Sequence, residues 1–193
     1  MTHLVTALAA LDIPETYVEK LNQFSDLFLH WNRRINLSAA RAPEDVEAHI
    51  RDSLHVVPHL RASSRVIDVG SGGGFPVVIA AICLPSISFT ALEPVHKKHA
   101  FLRAAARDLE LANLDPLAVR VEDHADRDHD AATSRATFDL REWLLLGAEL
   151  VRPDGIVLGF EATLRDDLPR PIERHPYAID GKQRSIVLYR RPS

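Results

Sequence analysis

A single cysteine, Cys83 in the apolar run AAICLP, leaves this 193-residue chain unable to form an internal disulfide or a cysteine-ligated zinc site. A buried structural thiol is the role that remains. Aromatic residues make up only 6% of the sequence, too few for a broad platform on which single-stranded bases stack, so nucleic acid would be gripped through its phosphates. Nowhere do about 18 apolar residues run together as a transmembrane helix requires. The N-terminal MTHLVTALAALDIPE has no Lys or Arg ahead of its short apolar stretch, and Asp12 and Pro14 interrupt it, so it makes a poor signal peptide. A cytoplasmic location is expected. Positive charge is not in excess either: 23 Lys and Arg against 27 Asp and Glu give −4, which argues against a general nucleic-acid binder.

What is present is enough apolar sequence, 46%, to bury one sizeable core. The chain has no internal repeat, low-complexity tract or Gly/Ser linker, and a monomer is expected. Two acid-free basic segments stand out in the mildly acidic whole, WNRRINLSAAR with Arg33, Arg34 and Arg41, and HKKHAFLRAAAR with Lys97, Lys98, Arg103 and Arg107. Each is either part of a basic stripe or an ordinary solvated helix face. From Pro14 to about Asn36, Val18, Leu21, Phe24, Leu27, Phe28, Trp31 and Ile35 recur at the spacing of an amphipathic helix. A second helix is expected from Pro43, an N1 proline, to about Val57. Residues 1–60 thus read as a helical extension and 61–193 as the main domain, the two forming one compact unit.

From Arg65 the pattern becomes strands alternating with helices. Strands are expected at 66–69, 88–93, 117–122, 131–136 and 155–161, and a closing hairpin at 177–180 and 184–191. Such alternation predicts an α/β fold with a parallel, doubly wound sheet and ligands at the carboxyl ends of its strands.

The first strand, VIDV, runs into a loop with Gly70, Gly72, Gly73 and Gly74. The loop ends in Phe75-Pro76, so it lacks the Gly-Lys-Ser/Thr of a P-loop, and Phe75 stands where a dinucleotide fingerprint needs glycine. The string fits G-x-G-x-G, with Asp68 two residues ahead. Glu93, 23 residues after Gly70 at the end of the second strand, can accept hydrogen bonds from both hydroxyls of a ribose. Loop and carboxylate together resemble the S-adenosylmethionine site of class I methyltransferases. Glu122 is either beside the adenine or a solvated carboxylate at a strand end.

W-N-x-x-I-N-L (31–37), H-x-x-D-S-L (49–54), D-V-G-S-G-x-G-F-P (68–76), R-x-E (120–122) and S-R-A (134–136) follow in order. This combination resembles the bacterial small-subunit ribosomal RNA guanine-N7 methyltransferase family, also known as glucose-inhibited division protein B. The resemblance implies a Rossmann-like methyltransferase fold with a terminal antiparallel strand, and methyl transfer from S-adenosylmethionine to N7 of a guanine in 16S ribosomal RNA. It implies cofactor contacts at Gly70, Phe75, Val121, Glu122 and Arg135; Gly72, Gly74 and Glu93 join them from the loop and ribose arguments. Guanine N7 carries a free lone pair and the sulfonium is an activated donor, so the reaction needs alignment rather than a base or nucleophile. Asn36, His49, Asp52, Ser53 and Arg135 are candidates for holding the guanine, while His49 and Asp52 equally suit a purely structural tie. Three positions depart from the family: Val77 and Val78 where another glycine is usual, Pro94 after Glu93, and Glu161 where the fifth strand usually ends in Lys-Gly. Glu161 is expected to weaken RNA binding.

Other chemistry is poorly supported. His55 and His59 lack the glutamate of a zincin, His124 and His129 lie in the acid-rich EDHADRDHD, which could hold a cation weakly but reads rather as a solvated loop, and no serine has a G-x-S-x-G context. No metal is expected. The competing functions are a methyltransferase-like module acting through protein contacts and an enzyme using the same cofactor on another substrate.

Overall fold

Leu21, Phe24 and Phe28 are fully buried along one side of α2 (Val18–Ile35), while Arg33 and Arg34 in its last turn are exposed. This amphipathic helix matches the apolar spacing of its sequence. The computed structural model describes residues 2–192. Ahead of α2 lies α1 (Thr2–Ala10), whose Leu4 and Leu8 are buried and which the sequence reading had not singled out. After it, α3 (Pro43–Leu54) starts at an N1 proline, and Asp45 Oδ2 accepts from the backbone N–H groups of Arg41 and Ala42 at 2.9 and 3.0 Å. That reach-back satisfies donors at the helix entry. The helix ends at Leu54, and a separate turn of helix, α4 (Val57–Leu60), follows.

The remaining chain supplies β1 (Arg65–Val69), α5 (Val77–Cys83), β2 (Ser88–Leu92), α6 (His96–Asp108), β3 (Leu114–Leu117), β4 (His129–Ser134), α7 (Leu140–Ala148), β5 (Val151–Glu161), β6 (Ile172–Ile179) and β7 (Lys182–Arg190). The sheet order is β3-β2-β1-β4-β5-β7-β6. Strands β1 to β5 are mutually parallel, β7 is antiparallel to β5, and β6 is antiparallel to β7. The expected doubly wound α/β sheet with an antiparallel terminal strand is therefore what the chain forms. Helices α1, α2, α3, α5 and α6 bury one face and α7 the other, where Trp143 Nε1 donates to Leu158 O at 2.8 Å. Among the described residues no helix is long and apolar enough to cross a membrane.

The third strand corrects the sequence reading. The alternation in LAVRVE implied a strand over 117–122, but β3 pairs with β2 from Phe89↔Leu114 to Leu92↔Leu117. Beyond Leu117 the partner strand has ended, so Val121–Asp123 fold into a single 3-10 turn with Val121 buried and Glu122 exposed. Pro116 is tolerated because β3 lies at the sheet edge. The closing hairpin is longer than read and turns on Asp180 and Gly181, both at positive φ (50° and 75°), the two-residue turn that Asp-Gly favours.

Candidate active site

Strand β1 lies between β2 and β4, so the chain winds away from it in both directions and opens a crevice at its carboxyl end. The glycine loop fills that position. Gly70, Gly72 and Gly74 have φ of 71°, 48° and 82°, a region that residues with a Cβ avoid. Two of the three are glycine because the protein itself approaches closely. A Cβ on Gly70 would lie 2.4 Å from Thr137 Oγ1, and one on Gly74 2.6 Å from Val78 Cγ2. Val78, a departure from the family pattern, is thus accommodated by Gly74. At Gly72 the nearest atoms to a Cβ are Gly70 O at 3.6 Å and Glu93 Oε2 at 3.8 Å. Backbone access for a ligand belongs to Gly72.

Glu93, 3% exposed, braces this loop: Oε2 accepts from the Gly72 N–H at 2.9 Å and Oε1 from the Val95 N–H at 2.8 Å. Each carboxylate oxygen keeps a lone-pair direction for a further donor. Asp68, at the carboxyl end of β1, is 1% exposed. Its Oδ1 accepts from Thr133 Oγ1 at 2.7 Å, while Oδ2 is buried without a partner. Burial pushes its pKa up to about 7, so a cationic ligand group beside it would be matched by ionisation.

A cleft of about 670 Å³ is lined by residues of α3, the segment after β4, and the β5–β7 region, and it meets the loop through His49 and Arg135, which pack on Phe75. Arg135 leaves the sheet at the end of β4 and bridges these parts. Its guanidinium lies 4.8 Å from the centroid of the Phe75 ring, and its Nη1 is 3.1 Å from Asp52 Oδ2. Burial lowers the Arg135 pKa, which the Asp52 charge opposes. Asp52 Oδ1 also accepts from the Tyr177 hydroxyl at 2.8 Å and lies 3.6 Å from Arg184 Nη1. Burial, then the Asp52 charge, raises the Tyr177 pKa, so Tyr177 stays a neutral donor. The His49 ring packs on Phe75 at 5.3 Å, and burial lowers its pKa. The result is a cleft lined by a neutral imidazole and a buried cation, both of which pack on the Phe75 ring.

Residues 17–173 match the family of rRNA small subunit methyltransferase G, GidB. The chain belongs to that family. The ribosomal RNA small subunit methyltransferase G of Azoarcus sp. strain BH72 is 36% identical over 184 residues, covering 91% of this chain and 87% of that protein. The protein of the same name from Chromobacterium violaceum is 40% identical over 151 residues, covering 77% of this chain and 72% of that one. Among solved structures, the S-adenosylmethionine-dependent methyltransferase SibL superimposes with a TM-score of 0.59 at 19% identity, over 84% of this chain and 62% of that longer one. At that identity the likeness is one of fold, the Rossmann-like methyltransferase fold.

Of the residues that motifs had nominated, the structure gathers Gly70, Gly72, Gly74, Phe75, Glu93, His49, Asp52 and Arg135 around loop and cleft. It does not bring Ser53 or Asn36 there. Ser53 is fully buried and donates to the His49 carbonyl of its own helix at 2.8 Å. Asn36 is exposed in a left-handed cap and accepts from Arg41 Nη2 at 2.8 Å. The buried asparagine of that motif is Asn32, whose Oδ1 accepts from the Ser38 N–H at 3.0 Å. Glu161, expected to weaken RNA binding, is paired within the chain: Arg174 donates to both its oxygens at 2.8 and 3.1 Å. Tyr177 and Arg184 were missed, being residues of a hairpin far from α3 in sequence.

Proposed function

We propose that this protein transfers the methyl group of S-adenosylmethionine to N7 of a guanine in 16S ribosomal RNA, acting as a cytoplasmic monomer in which residues 1–60 and 61–193 work as one unit. The observation that carries the reading is the junction of the Gly72 loop with the Arg135–Asp52–Tyr177 cleft through Phe75. The residues fit the cofactor: Gly72 offers open backbone, Asp68 Oδ2 is a buried acceptor without a partner, and Glu93 retains acceptor capacity. S-adenosylmethionine, when bound, supplies an activated methyl group on a sulfonium.

The chain's own task is then to align the base. Guanine N7 needs no deprotonation, which agrees with a cleft whose histidine is held neutral and whose Arg135 is paired with Asp52. Arg135, fixed by Asp52 and stacked on Phe75, presents guanidinium N–H groups in a set direction, and guanine O6 is the acceptor such groups suit. Val121 and Glu122 are the proposed adenine-side contacts, one apolar and buried, the other polar and exposed. RNA phosphates would meet the exposed cations of α2 and α6, which pack together through Trp31 and Phe101 at 5.9 Å.

The reading is tested by incubating the protein with methyl-labelled S-adenosylmethionine and small ribosomal subunits that lack the modification. Label is expected in 16S ribosomal RNA. Label confined to protein or small molecules would overturn the assigned substrate.

A further inference from the structure

At the amino end of β4, about 20 Å along the strand from the cleft, a second group of side chains takes no part in the chemistry above. One donor atom from each of His124, Asp126 and His129 lies within 4.8 Å of the other two. His129 is 1% exposed, yet neither ring nitrogen has a hydrogen-bond partner, and His124 Nε2 is likewise buried and unpartnered. Among the described residues six buried side-chain polar atoms lack a partner, and three belong to this histidine pair. Buried imidazoles normally bond at least their N–H; here each of the two rings has a buried nitrogen with no partner, and a neutral imidazole can offer one nitrogen lone pair to a cation. The two rings are 5.8 Å apart between centroids and inclined by 26°, and His129 Nε2 faces Asp126 Oδ2 at 3.9 Å.

We propose that His124, Asp126 and His129 bind a divalent transition cation of the zinc type, tying the loop after β3 to the start of β4. Two imidazoles and one carboxylate suit such an ion better than the all-oxygen sets of calcium and magnesium, and leave a tetrahedral position for water. Asp126 Oδ1 accepts from the Asp128 N–H at 3.0 Å. Ligand bonds of about 2.0–2.2 Å require the donors to close in. His124 and Asp126, both less buried than His129, can rotate to do so. Arg65 pairs with Asp126 and, at 3.5 Å, with Asp128, so a bound ion shares or displaces that guanidinium, which weakens its binding. The sequence alone read this segment as solvated because nothing in EDHADRDHD shows that His129 is buried.

Titration calorimetry of the chelator-treated full chain with zinc chloride should find one saturable site and a raised Tm. His129 is in the core, so His124→Ala and Asp126→Asn carry the test; each should weaken zinc by about tenfold or more. His175→Ala, in the separate His59–His175 pair with ring centroids 4.2 Å apart, should leave that site intact. Cobalt substituted into the site should give the absorption of a tetrahedral nitrogen and oxygen set, lost in His124→Ala. Absence of saturable zinc binding, or a site whose affinity neither His124→Ala nor Asp126→Asn changes, would overturn the proposal.

Discussion

Gly72 is the residue on which the cofactor side of the account rests, because its backbone is both open to a ligand and bonded to Glu93. A carboxylate placed there would face Glu93 Oε2 and force a side chain into a φ of 48°. Gly72→Asp should therefore weaken S-adenosylmethionine by about 100-fold or more, roughly the 2.7 kcal/mol that an unpaired charge commands; calorimetry that finds unchanged affinity would remove the loop from the site. Arg135 carries the substrate side. Arg135→Ala should lower methyl transfer by about 100-fold, the scale of a lost positioning contact, with cofactor affinity retained. Asp52 keeps Tyr177 and Arg184 in that variant, so the fold should persist by circular dichroism, and normal turnover would exclude Arg135 from the cleft. Arg135, His49 and Asp52 were legible in the sequence because each sits in a short motif. Tyr177 was not: it lies 125 residues from Asp52, and only the docking of the hairpin on α3 brings them together.

Among the elements, α2 does more than cover the sheet. Phe24 and Phe28 pack on Phe75 with ring centroids 5.3 Å away in both cases, and a Cβ on Gly73 would lie 2.8 Å from Phe28 Cε2. The helix thereby props the glycine loop from outside. Phe28→Ala should cost about 3–5 kcal/mol of stability in urea denaturation and also weaken the cofactor, since the loop loses its support; a stability loss with cofactor affinity intact would separate the two roles. The helices and the central strands were readable from periodicity because each buries a regular face. Strand β3 was not, since a period-2 pattern in LAVRVE says nothing about whether a neighbour remains to pair with. Helix α1 escaped for a different reason: with Leu4, Val5, Ala7, Leu8, Ala9 and Ala10 it is apolar on most sides and carries little contrast between faces.

For the molecule as a whole, buried titratable groups set opposing pH dependences. Asp68, with a folded pKa of about 7 against an ordinary 3.8, binds a proton that the unfolded chain releases, so its contribution is present at low pH and is lost as pH rises from about 4 to 7. His59 acts in the other direction: burial holds it down to about 4 from 6.5, and its contribution falls away as pH drops between those values. His49 and His55 are lowered likewise, so the histidines' share of stability is lost as pH falls below about 6.5. In Asp68→Asn, stability relative to the parent should rise with pH between 4 and 7, as denaturation curves at several pH values can check; a constant difference would mean that Asp68 does not titrate there. The net charge of −4 leaves RNA to local cations and explains why composition alone argued against nucleic acid. The most direct measurement is the identity of the methylated nucleoside after digestion of the labelled ribosomal RNA. The account predicts 7-methylguanosine as the product. A methyl group on any other atom, or on no nucleoside at all, would contradict it.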